Sequence, residues 1–268
     1  MPADIFNAED LEPPGTSKGL GVLNVRTIID SSQQKRGSRE DLARKCPDAS
    51  RFRSSSRTLL FCRQFFPEAS VTDWNDWRWQ LHHRITDINT LSRIIRLSED
   101  ESAAVEHLAK PLPMAITPYY ASLLDRENPL QPLRRTVVPV TAEYFHSPGE
   151  AGDPLGEEHD SPVPGLVHRY PDRVLFLVTH FCSTYCRYCT RSRLVGDGSK
   201  SAFTVAQWER AIAYIEASPS VRDVLLSGGD PLTLLDEKLQ WLLSRLRRIG
   251  HVELLREDEY LIERIYKG

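Results

Sequence analysis

The 268-residue chain carries a formal net charge of −3, with 40% hydrophobic and 26% charged residues. That balance is ordinary for a soluble globular protein of one large or two small domains. It excludes whole-molecule binding to nucleic acid or to an anionic membrane, and no apolar run approaches the ~18 residues of a membrane span.

The opening M-P-A-D-I-F-N-A-E-D is acidic and lacks the basic and apolar regions of a leader. Five cysteines, three of them clustered, suit a reducing compartment. The expected location is therefore the cytoplasm, with neither membrane nor nucleic acid as partner. Residues 1–58 are rich in Pro, Gly, Ser, Gln and Arg, as in S-S-Q-Q-K-R-G-S-R-E, and read as a poorly ordered tail. Its basic patches have no aromatic residues interleaved, which favours a solvated tail over a nucleic-acid arm. Cys46 and Cys62 stand alone and read as ordinary free thiols.

Residues 59–110 read as helical. Trp74, Trp77, Leu81, Ile85, Ile88 and Leu91 recur at three- and four-residue steps, which predicts one helix face, with Thr72 or Asp73 as N-cap. The stripe reads as a packing face, and His82 and His83 as surface or packing residues. Ser98 and Glu101 form a capping box that opens a further helix. Residues 111–170 are proline-rich, as in P-L-P-M-A-I-T-P-Y-Y and D-S-P-V-P-G, and predict an extended wrapping segment. Its acids Glu157, Glu158 and Asp160 read as a solvated charge run, with a divalent-cation cluster as the alternative.

From residue 174 the pattern alternates strand and helix. Strands are expected at Val174–Thr179, Val221–Leu226 and His251–Leu255. Between them lie a helix opened by a Thr204/Gln207 capping box, with Val205, Trp208, Ile212 and Ile215 on one face, and a second carrying Leu235, Leu239, Leu242, Leu246 and Ile249. Gly250 is expected to stop that second helix. Such alternation implies βαβ units and a parallel sheet, whose chemistry gathers at the C-terminal strand ends.

Two motifs lie at those ends. Cys182, Cys186 and Cys189 are spaced C-x₃-C-x₂-C directly after the first strand, and Arg191 and Arg193 follow. Three thiols this close suit a metal–sulfur site. Three cysteines on a [4Fe–4S] cluster leave one iron open to another ligand; the alternative is zinc with His180 as fourth ligand. The second motif, Ser227-Gly228-Gly229-Asp230, lets backbone approach a ligand closely, or is a plain strand-to-helix turn.

The string H-R-Y-P-D-R-V-L-F-L-V-T-x-x-C-S-x-Y-C-R-x-C-T-R-x-R resembles the lysine 2,3-aminomutase family of the radical S-adenosylmethionine (radical SAM) superfamily. The resemblance reaches back through F-F-P-E-A-S-V-T-D-W-N-D-W-R-W-Q and forward through S-G-G-D-P-L, covering roughly residues 59–256. It implies an incomplete parallel (βα) radical SAM barrel of about three strands, an α/β fold preceded by a helical N-terminal region. The division expected is a tail at 1–58, a helical and proline-rich region at 59–170, a partial radical SAM core at 171–256 and an unmatched tail at 257–268.

The resemblance also implies an isomerase that moves an amino group between adjacent carbons of an amino acid such as lysine. It implies a [4Fe–4S] cluster on Cys182, Cys186 and Cys189, with S-adenosylmethionine at Tyr188, Ser227, Gly228, Gly229 and Asp230. Pyridoxal phosphate matches Arg169, Tyr170 and Arg173, and the substrate carboxylate Arg191. The implied partners are a small amino-acid substrate, an electron donor such as flavodoxin or ferredoxin and, for a complete chain, further copies of itself.

Three positions depart from the family pattern: His180 replaces a common acid, Tyr188 a histidine and Ser192 an arginine. The imine-forming lysine has no match, and Lys267 is not promoted to that role. A truncated member with an unpaired sheet edge, or a chain completed by another polypeptide, is the expectation. A non-catalytic iron–sulfur or zinc protein, structural or redox, is the alternative function.

Overall fold

The structure is a computed structural model that describes residues 55–106, 112–145, 147–196, 203–257 and 260–264. The expected tail through residue 54, Cys46 and Lys267 lie outside the described residues.

The N-terminal region is a set of short helices, each started by its own polar cap. Ser55 caps α1 (Ser56–Phe65) by accepting from the Thr58 amide at 3.2 Å. Ser70 and Asp73 form a reciprocal capping box on α2 (Val71–Trp74). Asp76 caps α3 (Trp77–His82) and Asp87 caps α4 (Ile88–Ile94). The single long helix expected over Trp74–Leu91 is thus three helices, and Ser70, not Thr72 or Asp73, is the first cap. Ile85 leaves the helical path altogether to form a two-bond bridge with Ile116. The apolar periodicity nevertheless marked the right side chains, since Trp74, Leu81, Ile85 and Leu91 are each at most 5% exposed. His82 and His83 are exposed, and the His83 ring stacks on Trp79.

The Ser98/Glu101 capping box is present at the start of α5 (Glu99–Glu106). Glu101 has a second role that sequence did not suggest. Its carboxylate takes two bonds, of 2.8 and 2.6 Å, from Arg134, which is fully buried on α7 (Pro132–Arg135). Arg134 also donates to the carbonyls of Arg96, Asp125 and Arg126. A proline-rich segment offers few backbone donors, and here one guanidinium supplies them. Between these lies α6 (Pro118–Ala121), with Thr117 as cap and proline at its first position.

The C-terminal region is a sheet in the order β1-β2-β3-β4-β5, formed by β1 (Leu166–Tyr170), β2 (Arg173–Thr179), β3 (Asp223–Gly228), β4 (Leu254–Glu257) and β5 (Tyr260–Arg264). The three inner strands are parallel, as expected, with α8 (Val205–Glu216) and α9 (Asp236–Leu246) as crossovers. Phe176, Leu226, Trp208, Ile215, Leu242 and Leu246 are all within 1% of complete burial and form the seam between helices and sheet. Each such side chain contributes roughly 1.5–3 kcal/mol.

Four expectations need correction. The sheet is mixed and five-stranded, because β1 and β5 add antiparallel at its two margins. The edge of the last parallel strand is therefore paired by the chain's own residues 260–264. The second and third parallel strands begin at 223 and 254, because Val221 and Val252 are buried in the turns that precede them. Finally, α9 ends at Leu246 with Arg247 as C-cap, ahead of the turn containing Gly250.

Candidate functional site

The parallel pairing of β2 with β3 sets Leu177 opposite Ser227 and Thr179 opposite Gly228. The loop leaving β2 and the turn leaving β3 therefore emerge side by side at the C-terminal end of the sheet. Their approach is close enough to exclude side chains. A Cβ on Gly228, whose φ is +109°, would lie 2.3 Å from the Thr179 carbonyl oxygen, and one on Gly229 would lie 2.1 Å from that of Phe181. The gain is two backbone bonds of 2.7 Å, Gly229 N–H to the Thr179 carbonyl and Asp230 N–H to the Phe181 carbonyl. The Asp230 carboxylate accepts from the Ser183 hydroxyl at 2.9 Å and from the Leu232 amide. Thus the S-G-G-D turn clamps the cysteine loop, and the glycines are required by that contact before any ligand is considered.

The other side of the loop is held by the N-terminal region. Tyr185 N–H donates to the Ala115 carbonyl and Arg187 N–H to the Thr136 carbonyl, while Thr117 N–H donates to the Thr184 hydroxyl. The Arg187 side chain donates to the Leu112 and Pro113 carbonyls and forms an ion pair with Glu143. Arg84 donates to the Cys182 carbonyl at 3.0 Å. Leu112, Ala115, Tyr185 and Val195 pack around Cys182 and Cys189, both half-buried.

Cys182, Cys186 and Cys189 are all free thiols. Cys189 is held down to about 6, first by a hydrogen bond with Cys186, then by the Arg191 amide and the charges of Arg191 and Arg187. The same bond, with burial, pushes the Cys186 thiol up. One thiolate is thus readily available, as a soft-metal ligand must be. Among the described residues no three His, Cys, Asp or Glu side chains converge as ligands of a single ion would. A cluster whose cysteines bind separate irons does not demand such convergence. His180 has its Nδ1 3.0 Å from the Leu194 carbonyl and its ring against Phe203. The donor set fits a thiolate-bound cluster with one position left open. Tyr188, 71% exposed, lies beside these thiols.

Arg191, two residues beyond Cys189, is largely buried, with its side chain 19% exposed. Its Nε and terminal nitrogen each approach Glu157 at 2.9 Å, and its other terminal nitrogen is 3.4 Å from the buried Ser227 hydroxyl. Glu157 is only 4% exposed. Arg193 reaches Asp153 at 3.0 Å and Glu158 at 3.4 Å, and Asp160 accepts from Arg169 at 2.6 Å. The acids of residues 153–160 are therefore paired with arginines, and only Glu158 matches the solvated charge run expected of Glu157, Glu158 and Asp160. Nothing local in the sequence signals this, since Glu157 and Arg191 lie 34 residues apart.

The three residues matched to pyridoxal phosphate are not gathered at the cysteines. Tyr170 and Arg173 are exposed at the β1–β2 turn, one ring–guanidinium pair apart. That turn is at the opposite end of β2 from Thr179, about 20 Å along a seven-residue strand. Arg169 alone leans towards the 153–160 segment, where it binds the Asp160 carboxylate and the Leu155 carbonyl.

No helix among the described residues is long and apolar enough to cross a membrane. Residues 176–265 match the family model described as the radical SAM superfamily. Among curated proteins, the chain is 51% identical over 193 residues to the L-lysine 2,3-aminomutase of Acetoanaerobium sticklandii, covering 72% of this chain and 46% of that protein. It is 48% identical over 193 residues to the L-lysine 2,3-aminomutase of Clostridium subterminale, with the same shares covered. It is also 41% identical over 186 residues to the glutamate 2,3-aminomutase of Clostridioides difficile, covering 69% of this chain and 43% of that protein. The chain spans about half the length of the curated relatives it matches.

Proposed function

We propose that this chain, a relative of the lysine 2,3-aminomutases with a radical SAM domain, is the cluster- and S-adenosylmethionine-binding portion of an amino-acid 2,3-aminomutase. The observation that carries the reading is the pair of backbone bonds from Gly229 and Asp230 to Thr179 and Phe181. Through them the thiol loop and the glycine turn form one surface at the C-terminal strand ends, where α/β enzymes bind ligands.

Cys182, Cys186 and Cys189 would hold a [4Fe–4S] cluster, and the amino and carboxylate groups of S-adenosylmethionine would take its open iron. When bound, the cluster supplies one electron to cleave the sulfonium and make a 5′-deoxyadenosyl radical. The chain's residues bind and orient. Tyr188 offers an exposed ring beside the thiols, suited to stack on adenine. The glycine turn offers unhindered backbone to the methionine end. Arg191 is held by Glu157 on its Nε edge, which leaves the terminal nitrogen beside Ser227 directed for a carboxylate.

Pyridoxal phosphate is a poorer fit. Arg169 is engaged by Asp160, and Tyr170 and Arg173 sit at the far end of β2. Among the described residues the amino-migration half of the chemistry has no assembled site, which favours a second reading: a cluster protein that does not itself rearrange an amino acid. A lysine or glutamate substrate, a flavodoxin or ferredoxin electron donor and self-association belong to the first reading.

Anaerobic reconstitution with iron and sulfide tests it. The expected outcome is a broad absorption near ~400 nm and, after reduction, release of 5′-deoxyadenosine from S-adenosylmethionine. One equivalent of zinc with no cleavage would overturn it.

A further inference from the structure

Four arginines touch the cysteine loop or belong to it, and they differ in how they are neutralised. Arg187 is paired with Glu143, Arg191 with Glu157, and Arg193 with Asp153 and Glu158. Arg84 has no carboxylate within ion-pair distance among the described residues. It is half-buried, donates from Nε to the Leu81 carbonyl at 3.2 Å and from a terminal nitrogen to the Cys182 carbonyl at 3.0 Å. Its guanidinium lies 4.2 Å over the Phe181 ring and 5.8 Å from that of Tyr185. Its backbone is fixed on both sides, by the last turn of α3 and by the Ile85–Ile116 bridge. A rigid N-terminal scaffold therefore presents one uncompensated positive charge to the peptide of the first cysteine.

We infer that Arg84 is a positioning residue that sets the Cys182 peptide and raises the reduction potential of a cluster held on the loop. The inference rests on the proposed function, since it needs a cluster on Cys182, Cys186 and Cys189. Its physics is Coulombic. Reduction adds one negative charge to the cluster, and a nearby cation stabilises the reduced form more than the oxidised one, strongly so where water is partly excluded. Arg187 and Arg191 act on the cysteines as well, but each brings a carboxylate, Glu143 or Glu157, that offsets part of its field. Arg84 is not cancelled in that way.

The test uses the full chain and its Arg84→Gln and Arg84→Lys variants, each reconstituted anaerobically with iron and sulfide. Iron and sulfide are counted, and the reduced cluster is followed by electron paramagnetic resonance in a titration with dithionite and redox mediators. Arg84→Gln should retain its iron and show about a tenfold lower ratio of reduced to oxidised cluster at a fixed potential, which is about 59 mV for one electron. Arg84→Lys keeps the charge and should titrate close to the wild type. Identical titrations for Arg84→Gln and wild type would overturn the inference, as would an Arg84→Lys shift as large as that of Arg84→Gln. If Arg84→Gln takes up no iron, Arg84→Lys decides: loading with a wild-type potential supports the role of the charge, and failure to load overturns it. A wild-type chain that binds no cluster overturns the proposed function and this inference with it.

Discussion

The contact between the glycine turn and the cysteine loop predicts the outcome of Gly229→Ala. The added methyl would start 2.1 Å from the Phe181 oxygen, where ordinary contact begins at 3.4 Å, so turn and loop must part by about 1.3 Å. The two 2.7 Å bonds to Thr179 and Phe181 then stretch to about 4 Å, past hydrogen bonding. Two lost bonds cost about 1–3 kcal/mol together, and the residual overpacking about 1–3 kcal/mol more. A loss of roughly 2–6 kcal/mol is a large share of the ~5–15 kcal/mol that holds a domain folded. The assay is urea unfolding beside iron uptake, with Gly250→Ala as control because nothing lies within 4 Å of a Cβ there. Gly229→Ala should lower stability by that amount and load less iron, while Gly250→Ala stays within about 0.5 kcal/mol of wild type. If both variants unfold at the wild-type urea midpoint and load equal iron, the clamp is not what holds the loop.

Arg134→Met leaves Glu101 buried without its partner and should destabilise by about 3–5 kcal/mol in urea; a neutral result would mean that the pair is not buried in solution. Glu157→Gln removes the charge that fixes Arg191 and should cost about 1.5–3 kcal/mol in the same assay, whereas a stabilised variant would show that the two arginines beside it are better left without an acid. In the metal-free chain the folded state favours the Cys189 thiolate, so its alkylation by iodoacetamide should be near maximal at neutral pH and fall as pH drops through about 6. Cys62, raised by burial, should label only in alkali; peptide mapping that finds the two labelled with one pH profile would refute the assignment. Because β4 is paired on both sides, by β3 and by residues 260–264, its amides should exchange slowly with deuterium. Rapid exchange of Leu255 and Arg256 would mean that β5 does not cover that edge.

What the sequence disclosed follows the range of the interactions involved. Capping boxes at Ser98/Glu101 and Thr204/Gln207 are settled within four residues, and both are present. The parallel core follows from apolar runs separated by amphipathic helices, and it too was legible. The break of the Trp74–Leu91 helix was not, although Asp76 and Asp87 are good caps, because a periodic apolar stripe is compatible with one helix or three. Ile85 departs from the helix for a partner 31 residues later, at Ile116. Glu157, expected in a solvated charge run, and Arg134, which no local pattern singles out, have their roles set by counter-ions 34 and 33 residues away, Arg191 and Glu101. The margins β1 and β5 were missed because edge strands need only one neighbour and leave little periodicity to read.

The same long-range contacts bear on how much chemistry half a relative's length can carry. The bonds that shape the cysteine loop come from Arg84, Ala115, Thr117, Thr136 and Glu143 on one side and from Gly229 and Asp230 on the other. All of these precede residue 231, so the bonds named here brace the loop from residues before or within the turn that leaves β3. Arg191, too, takes its orientation from Glu157 and Ser227. The residues proposed for cluster binding and for carboxylate capture are therefore braced together by contacts between residues 84 and 230. The residues matched to pyridoxal phosphate obey a different logic. Tyr170 and Arg173 lie instead at the opposite end of β2, with the Arg173 guanidinium 5.8 Å from the Tyr170 ring. The proposed function then predicts that S-adenosylmethionine cleavage by the reconstituted chain is separable from amino migration, and an assay that finds amino migration by this chain alone would refute that division.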